Sequence, residues 1–569
     1  MAEIFIPSSP LTALRSSSSF AVFRLDSPLT SLSSSLSARI DPVEDAAGCP
    51  PPNNQPEHHP DNTPGADRNY RESTPGVNSQ QAFADCSASP PLPADKLYLV
   101  LDEEMRQSFI GPLPVETFLN DFLPAEAVPP PLFSPGFEEV ANATCETDMY
   151  APFVRPLNFS YPALSLQQIV QVDTINEILT RFTGFDTSNT PSSEAGAEYR
   201  PDVTIYEKKK LSPTRTLTSF QKMEMFVEFK HGSSADPFAT EDGSFPKLFS
   251  TTCAIRGQLV LYATRQQAYQ FRTSIISVGI FGKIARFFRW DRTGCLVTEP
   301  IDYSSLEGNE LLTEFFHRLD RLADDPESRG WDPTVEDPTP REVKLLDKAI
   351  SEACKKRQVK PPPQPTYRMK TRSQKRVSFR EPTKKPKSDP MFSQLIESVG
   401  DHSKYPRRKV SVFDGNVQKS YIVGRATSIP KSPTGRATRG FVACSLETGK
   451  LVFLKDSWRP DIRCIKPEDC WYQRLRAKRG LGKNHIGEYS HGSDVYAVKK
   501  LIKCPDKKQQ TITHLYAKEH GRVEALMGYA HHRVVQTQLY LPLEMFRNSR
   551  HLVRVMYDVA KGAFPSVFR

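Results

Sequence analysis

Apolar positions begin to recur with a regular period only after residue 95. Leu97 to Leu101 forms a short strand-like run, and Phe118, Leu119 and Phe122 in "VETFLNDFLP" fall at helical spacing before Pro124. A longer stripe, Leu166, Ile169, Val170, Ile175, Ile178, Leu179 and Phe182, predicts a helix over 166–183 with Gly184 as its C-cap. From Tyr199 the period shortens to two. "DVTIY", "MFVEFK", "SIISVGIFG" and "ARFFRW" predict strands, with a helix over 254–271 between the second and third. Leu311, Leu312, Phe315, Phe316, Leu319 and Leu322 share one face of a further helix over 310–322.

Periodicity then fades. Residues 326–408 read as a linker broken by one short helix over 343–353, with "KPPPQP", "MKTRSQKR" and "TKKPKSDP" inside it. From Tyr421 strands return in "SYIVGR", "GFVACSL" and "KLVFLKD", then a helix over 467–478 and strands near Val495 and Val534. The expected class is α+β with four parts: a disordered tail over 1–95, an α/β domain over 96–325, the basic linker over 326–408, and a second domain over 409–569.

Composition supports the tail and the linker. Of 569 residues, 49 are proline, against an ordinary share of about 5%, and only 38% are hydrophobic. Segments such as "SLSSSLS" and "PPPNNQPEHHPDNTPG" bury too little apolar surface to offset chain ordering. No apolar run approaches the roughly 18 residues of a membrane span. Ten scattered cysteines form no CxxC pair or Cys/His cluster, which excludes a recognisable zinc module. Without a signal peptide the thiols are expected to be reduced, in a cytoplasmic or nuclear setting.

The net charge of +9 conceals a division. Residues 341–569 carry 48 Lys and Arg against 20 Asp and Glu, which leaves 27 against 46 in residues 1–340. An acidic half joined to a basic half implies different partners, or halves that attract each other. Basic surface suits phosphate-bearing ligands, and nucleic acid is one of them.

Two constellations carry candidate chemistry. In "SYIVGRATSIPKSPTGRATRGFVACSLETGKLVFLKDSWR" two strands flank a glycine-containing turn and a third strand ends in Lys455. An ammonium group there would offset phosphate charge, and glycine lets backbone approach it; an ordinary antiparallel sheet with a surface lysine has the same pattern. In the first half, Pro201-Asp202 opens a strand and Glu228-Phe-Lys230 closes another, with Gln258 and Tyr262 one turn apart on the next helix. Alternation puts Glu228 and Lys230 on one strand face, opposite Phe229. Two acids and a lysine so placed resemble the PD-(D/E)xK pattern of restriction-endonuclease-like enzymes, in which the acids hold a divalent metal and the lysine assists the attacking water. A half-buried strand with outward charges is the plain alternative.

The strings SPTGRATRGF and TGKLVFLKDSWR closely resemble the fungal-type protein kinases of mushroom-forming fungi. "FIGPLPVETFLNDFLP", "RPDVTIY", "RGQLVLYATRQQAYQFRTSIISVGIFG", "ARFFRWDRTGCLVTEPI", "RGWDPTV" and "SRHLVRVMYDV" resemble the same family, so the likeness spans about 97–560. It implies a kinase-like small lobe over 409–569 in which Gly435 and Gly440 cover ATP phosphates, Lys455 contacts them, and Mg²⁺ accompanies the nucleotide. The partner acid of that lysine is expected in "KPEDCWYQRL". Where the family tends to place it, two residues before the tyrosine, this chain has Cys470, so Glu468 would serve only from a shifted helix. "YAVKK" (496–500) comes too late to be the lysine strand. No HRD-type loop or metal-binding aspartate follows Val559, and "HHRVVQ" and "VFDG" stand in the wrong context, so the resemblance implies a small lobe without its catalytic lobe. Full-length relatives would transfer phosphate to Ser or Thr of protein substrates. A pseudokinase-like interaction protein and, on the other constellation, a metal-dependent nuclease are the alternatives.

In the linker, Lys355-Lys-Arg357 with the basic run 370–387 resembles a bipartite nuclear import signal, and Arg376-Val-Ser-Phe379 resembles a docking peptide for a type 1 protein phosphatase. A solvated charged linker is the plain reading of both.

Overall fold

The computed structural model describes residues 93–124, 136–158, 178–188, 199–211, 218–238, 250–356, 396, 405–430, 432–462, 464–477, 487–497, 507–520, 526–539 and 548–563. Residues 1–92 of the tail expected over 1–95, the basic run 370–387 and the Arg376–Phe379 motif lie outside them, as does most of the helix expected over 166–183. The architecture is mixed α+β with two sheets.

The first part runs α1 (Ala94–Met105), β1 (Phe109–Leu113), α2 (Val115–Phe122), α3 (Glu138–Ala141), α4 (Glu146–Asn158), β2 (Phe182–Asp186), β3 (Val203–Glu207), β4 (Met225–Lys230), α5 (Ser250–Tyr269), β5 (Ile275–Phe281), β6 (Ile284–Trp290), β7 (Cys295–Thr298), β8 (Ile301–Asp302) and α6 (Leu306–Arg321). Its sheet is ordered β1-β7-β6-β5-β4-β3-β2, with β8 beside β6. β2, β3 and β4 form an antiparallel meander, and α5 then crosses over so that β5 lies parallel to β4. Phe118, Phe153, Phe229, Phe287 and Phe315 pack on one face with α2, α4 and α6. Leu101, Tyr206, Phe226, Leu259 and Trp290 pack on the other with α1 and α5.

Two expectations change here. Leu97 to Leu101 is helical, because Leu97, Leu101 and Met105 repeat every four residues and bury one stripe of α1 against α5. Phe182 and Gly184 belong to β2, paired with Glu207 and Ile205, so Gly184 caps no helix.

The second part comprises β9 (Val335–Glu336), α7 (Pro340–Lys356), β10 (Arg408–Asp414), β11 (Val417–Ser428), β12 (Arg439–Ser445), β13 (Leu451–Pro460), α8 (Glu468–Ala477), β14 (Tyr489–Asp494), α9 (Thr513–Glu519), β15 (Tyr529–Gln536) and α10 (Ser549–Ala563). Its strands are all antiparallel, in the order β14-β15-β13-β12-β11-β10-β9. The sheet thus starts well before Tyr421, and Val412 to Asp414 of "VFDG" are ladder residues of β10. Residues 331–356, expected to be linker, belong to this part: β9 pairs with β10, and α7 packs on the sheet. Thr339 and Glu342 close a capping box at the start of α7, each side chain bonding the other's backbone N–H, with Pro340 at the first helical position.

The two parts share a packed seam. The Asp291 carboxylate at the end of β6 accepts the backbone N–H groups of Ile512 and Thr513 at 2.8 and 3.1 Å, capping α9 across the seam. Ile512, Tyr516 and Ala517 enter the core of the first part, and Phe271 enters that of the second. Arg439 bonds the Gln270 carbonyl at 2.9 Å, lies 4.2 Å from the Phe271 ring centre, and pairs with Asp456 at 2.7 Å. "RGWDPTV" runs through the same seam. Arg329 pairs with Glu224 at 2.5 Å, Trp331 lies under Arg272, and Asp332 holds Arg533. Burial alone would raise the Asp332 carboxyl, but Arg533 and His531, with hydrogen bonds from Gln509 and Thr334, together outweigh it and hold the group low.

Candidate functional site

Lys455 stands near the middle of β13, opposite Gly440 of β12 on one side and Val534 of β15 on the other. Strand alternation sends Leu454 towards the seam, with Phe441, Val535 and Phe271, and Lys455 to the opposite face. That second face carries α8 over Val534, where Tyr472 and Tyr489 pack, and α7 over Ile422, Val442 and Cys444. Glu468 is the first residue of α8, so it leads the helix towards β13 and meets Lys455 Nζ with one carboxylate oxygen at 2.9 Å. Both side chains are about 95% buried. Burial pushes the Lys455 ammonium down to about 8 against the opposing pull of Glu468, and nearby Arg436 lowers it further. Cys470 faces elsewhere, towards Asp469.

The glycines sit differently from the lysine. Gly435 adopts φ +84° in the turn between β11 and β12, a conformation that side chains resist, and its N–H bonds the Arg292 carbonyl of the first part at 2.9 Å. The Gly440 N–H bonds the Ser428 hydroxyl at 3.2 Å and its carbonyl accepts Thr427. Trp458 N–H bonds the Arg436 carbonyl at 2.7 Å, folding the turn back over the end of β13. Both amides expected to face phosphate are therefore used within the protein. Tyr496 makes an isolated bridge with Lys508, away from the lysine strand, and residues 498–500 lie outside the described set.

The second constellation does converge. β4 places Glu228 and Lys230 on the face covered by α1 and α5, and Asp202 enters from the start of β3. Lys230 Nζ is 2.8 Å from Glu228 Oε1 and 3.4 Å from Glu146 Oε1 at the start of α4. Tyr150, one turn along α4, offers its single hydroxyl proton to Asp202 at 3.0 Å and to Glu146 at 3.3 Å. Asp202 also accepts the Phe229 N–H at 2.9 Å. Burial raises the carboxyl of Asp202, and burial with the Asp202 charge raises that of Glu228 well above the usual range. Burial alone would lower the Lys230 ammonium, but Glu228 and then Asp202 raise it. Glu228 Oε2 is buried with no hydrogen-bond partner among the described residues.

Gln258 is one step removed from these acids. It donates to the Tyr262 hydroxyl at 3.0 Å, which in turn donates to the Arg200 carbonyl at 2.7 Å. Tyr98, Tyr199, Arg200 and Tyr262 line a cleft of about 350 Å³ that reaches Asp202. As the side chains stand, no group of three His, Cys, Asp or Glu among the described residues is set to grip a metal ion, because Lys230 lies between Glu228 and Glu146. Sequence reasoning missed Glu146 and Tyr150. Their signal was an acid and a tyrosine at i and i+4 opening an amphipathic helix.

Comparisons with protein-family models, with curated proteins and with solved structures find no match to this chain. No helix among the described residues is long and apolar enough to cross a membrane, and the seven described cysteines are all free thiols.

Proposed function

We propose that residues 408–563 form a protein-kinase-type small lobe that receives an adenine nucleotide, in a chain allied to the fungal-type protein kinases. The observation that carries this reading is the buried Lys455–Glu468 pair, reached from β13 and the first turn of α8. Strand order supports it too. β11-β12-β13-β15-β14, with a helix between β13 and β14, is the order in which a kinase small lobe sets its lysine strand beside the strand leading to the hinge. An ammonium tied to a carboxylate is fixed in space and keeps its remaining hydrogens for phosphate oxygens. Mg²⁺ bound with ATP would bridge its phosphates. In a kinase the groups that hold that metal and orient an acceptor hydroxyl come from the other lobe, so the role read for residues 408–563 is to bind and position nucleotide. Protein partners and a cytoplasmic or nuclear location accord with this reading. Ligand-observed saturation-transfer NMR with the full chain and millimolar Mg-ATP tests it. Weak signals that vanish in Lys455→Met are expected, and signals indifferent to that change would contradict it.

A specific observation favours a second reading for the first part, a restriction-endonuclease-like metal-dependent nuclease. The meander β2-β3-β4 followed by α5 and parallel β5 brings Asp202, Glu228, Lys230 and Glu146 together, with one buried Glu228 oxygen unpartnered. A divalent cation would satisfy that oxygen if Lys230 moved aside towards the cleft, where it would assist an attacking water.

A further inference from the structure

We propose that α7 is an intramolecular occupant of the nucleotide face of the second sheet, so that docking of α7 and binding of nucleotide at Lys455 exclude each other. The inference rests on the nucleotide reading of the Lys455–Glu468 pair. Across β12 and β13, Gly440 faces Lys455, Val442 faces Phe453, and Cys444 faces Leu451, and all six lie on one side of the sheet. A nucleotide whose phosphates meet Lys455 must lay its sugar and base over neighbouring rungs of that side. Towards β15 the surface is taken by Val534, Tyr472 and Tyr489. Along the strands beyond Lys455 lies the folded-back turn carrying Arg436. The remaining direction crosses Val442, Cys444 and Ile422, the surface on which Leu346, Ala349, Ile350 and Cys354 of α7 are packed, with Ile396 in the same cluster.

The helix is built to hold this place. Its four buried side chains form a single stripe at helical spacing, and its other positions are charged or half-exposed. Its capping box fixes its start, and Lys409 lies 3.4 Å from Glu342 while Arg407 lies 3.6 Å from Asp347, tying the helix to β10 and to the residue before it. These contacts can be undone without opening the seam, because α7 and the seam lie on opposite faces of the sheet. By linkage, the affinity of Lys455 for nucleotide is reduced by the fraction of molecules with α7 undocked.

The test uses the full chain with Leu346→Glu and Ile350→Glu combined, measuring Mg-ATP affinity by saturation-transfer titration and protection of amides 340–356 by hydrogen exchange. The expected result is loss of protection in α7 with at least tenfold tighter Mg-ATP binding, abolished by adding Lys455→Met. Equal affinity in wild type and variant, with α7 protected in wild type and released in the variant, overturns the occlusion and leaves the nucleotide reading standing. Released α7 with no binding in either protein overturns the nucleotide reading and the occlusion with it. Should the variant fail to fold, wild type suffices. Lys455-dependent Mg-ATP binding at millimolar nucleotide must deprotect 340–356, and unchanged protection refutes exclusion.

Discussion

Glu468 lies 2.9 Å from Lys455 because α8 begins at Glu468 itself, two residues before Cys470. A residue at the first helical position points along the helix axis towards what precedes it, and here that is β13. The charge pair is thus formed by Glu468, while Cys470 turns towards Asp469. Removing one partner should cost far more than removing both. Lys455→Met or Glu468→Gln alone strands a buried group, for about 3–5 kcal/mol, whereas Lys455→Met with Glu468→Leu should come within about 1–2 kcal/mol of wild type or exceed it. Urea unfolding of the four proteins measures the difference, and additive single effects would contradict a buried pair.

The same pair fixes a pH dependence. Burial brings Lys455 to about 8 in the folded chain, below the 10.5 of an exposed lysine. Between those values the unfolded state holds more protons, so this residue's contribution to stability rises with pH through that window and is at its least favourable below it. Comparing unfolding free energies of wild type and Lys455→Met from pH 7 to 10.5 isolates it. The wild type should gain relative to the variant as pH rises. Nucleotide affinity should fall over the same range as the ammonium is lost.

The seam predicts a single unfolding transition. Asp291→Ala leaves the Ile512 and Thr513 amides without their acceptor and should cost about 2–4 kcal/mol. It should lower the midpoint reported by probes in both sheets, since α9 is part of the first core. Residues 408–563 expressed alone lose the cover over Phe441, Val535 and Leu454 and should aggregate. Two separate calorimetric transitions would show that the sheets fold independently.

Much of this was legible in the chain, and the exceptions have physical causes. Alternation in "MFVEFK" placed Glu228 with Lys230 because successive strand side chains point to opposite faces, and the β-branched and aromatic run "GFVACSL" marked β12 although both its faces are buried. Leu97 to Leu101 read as a strand since five consecutive apolar residues fit either period, and only packing against α5 decides for helix. Residues 331–356 read as linker because the seam contacts of Trp331 and Asp332 are polar and cation-π in character, which hydrophobic periodicity does not register. Glu146 lies some eighty residues before Glu228, and no local pattern links them. Gly435 of the β11–β12 turn and Gly440 of β12 looked open to phosphate because sequence does not reveal that Arg292 and Ser428 take their amides.

If the acids of the first part take a divalent cation, Mn²⁺ should stabilise the full chain and Glu228→Gln should abolish the response, because the unpartnered oxygen is then an amide. Asp202 and Glu228 hold protons to higher pH than ordinary carboxyls, so binding should strengthen as pH rises and release protons. Calorimetric titration in two buffers of different ionisation heat detects that release. No heat at millimolar Mn²⁺ would leave the cluster as a folding feature of β3 and β4.

Lysine-directed labelling reads nucleotide contact at Lys455 itself. The full chain and the Leu346→Glu, Ile350→Glu variant are incubated with an ATP acyl phosphate, which acylates an amine lying beside the nucleotide phosphates, and peptides are read by mass spectrometry. Acylation is expected at Lys455, stronger in the variant, suppressed by excess ATP and reduced by Glu468→Gln. Labelling spread over exposed lysines such as Lys344, Lys355 and Lys450, with Lys455 unmodified in both proteins and no competition by ATP, would contradict it.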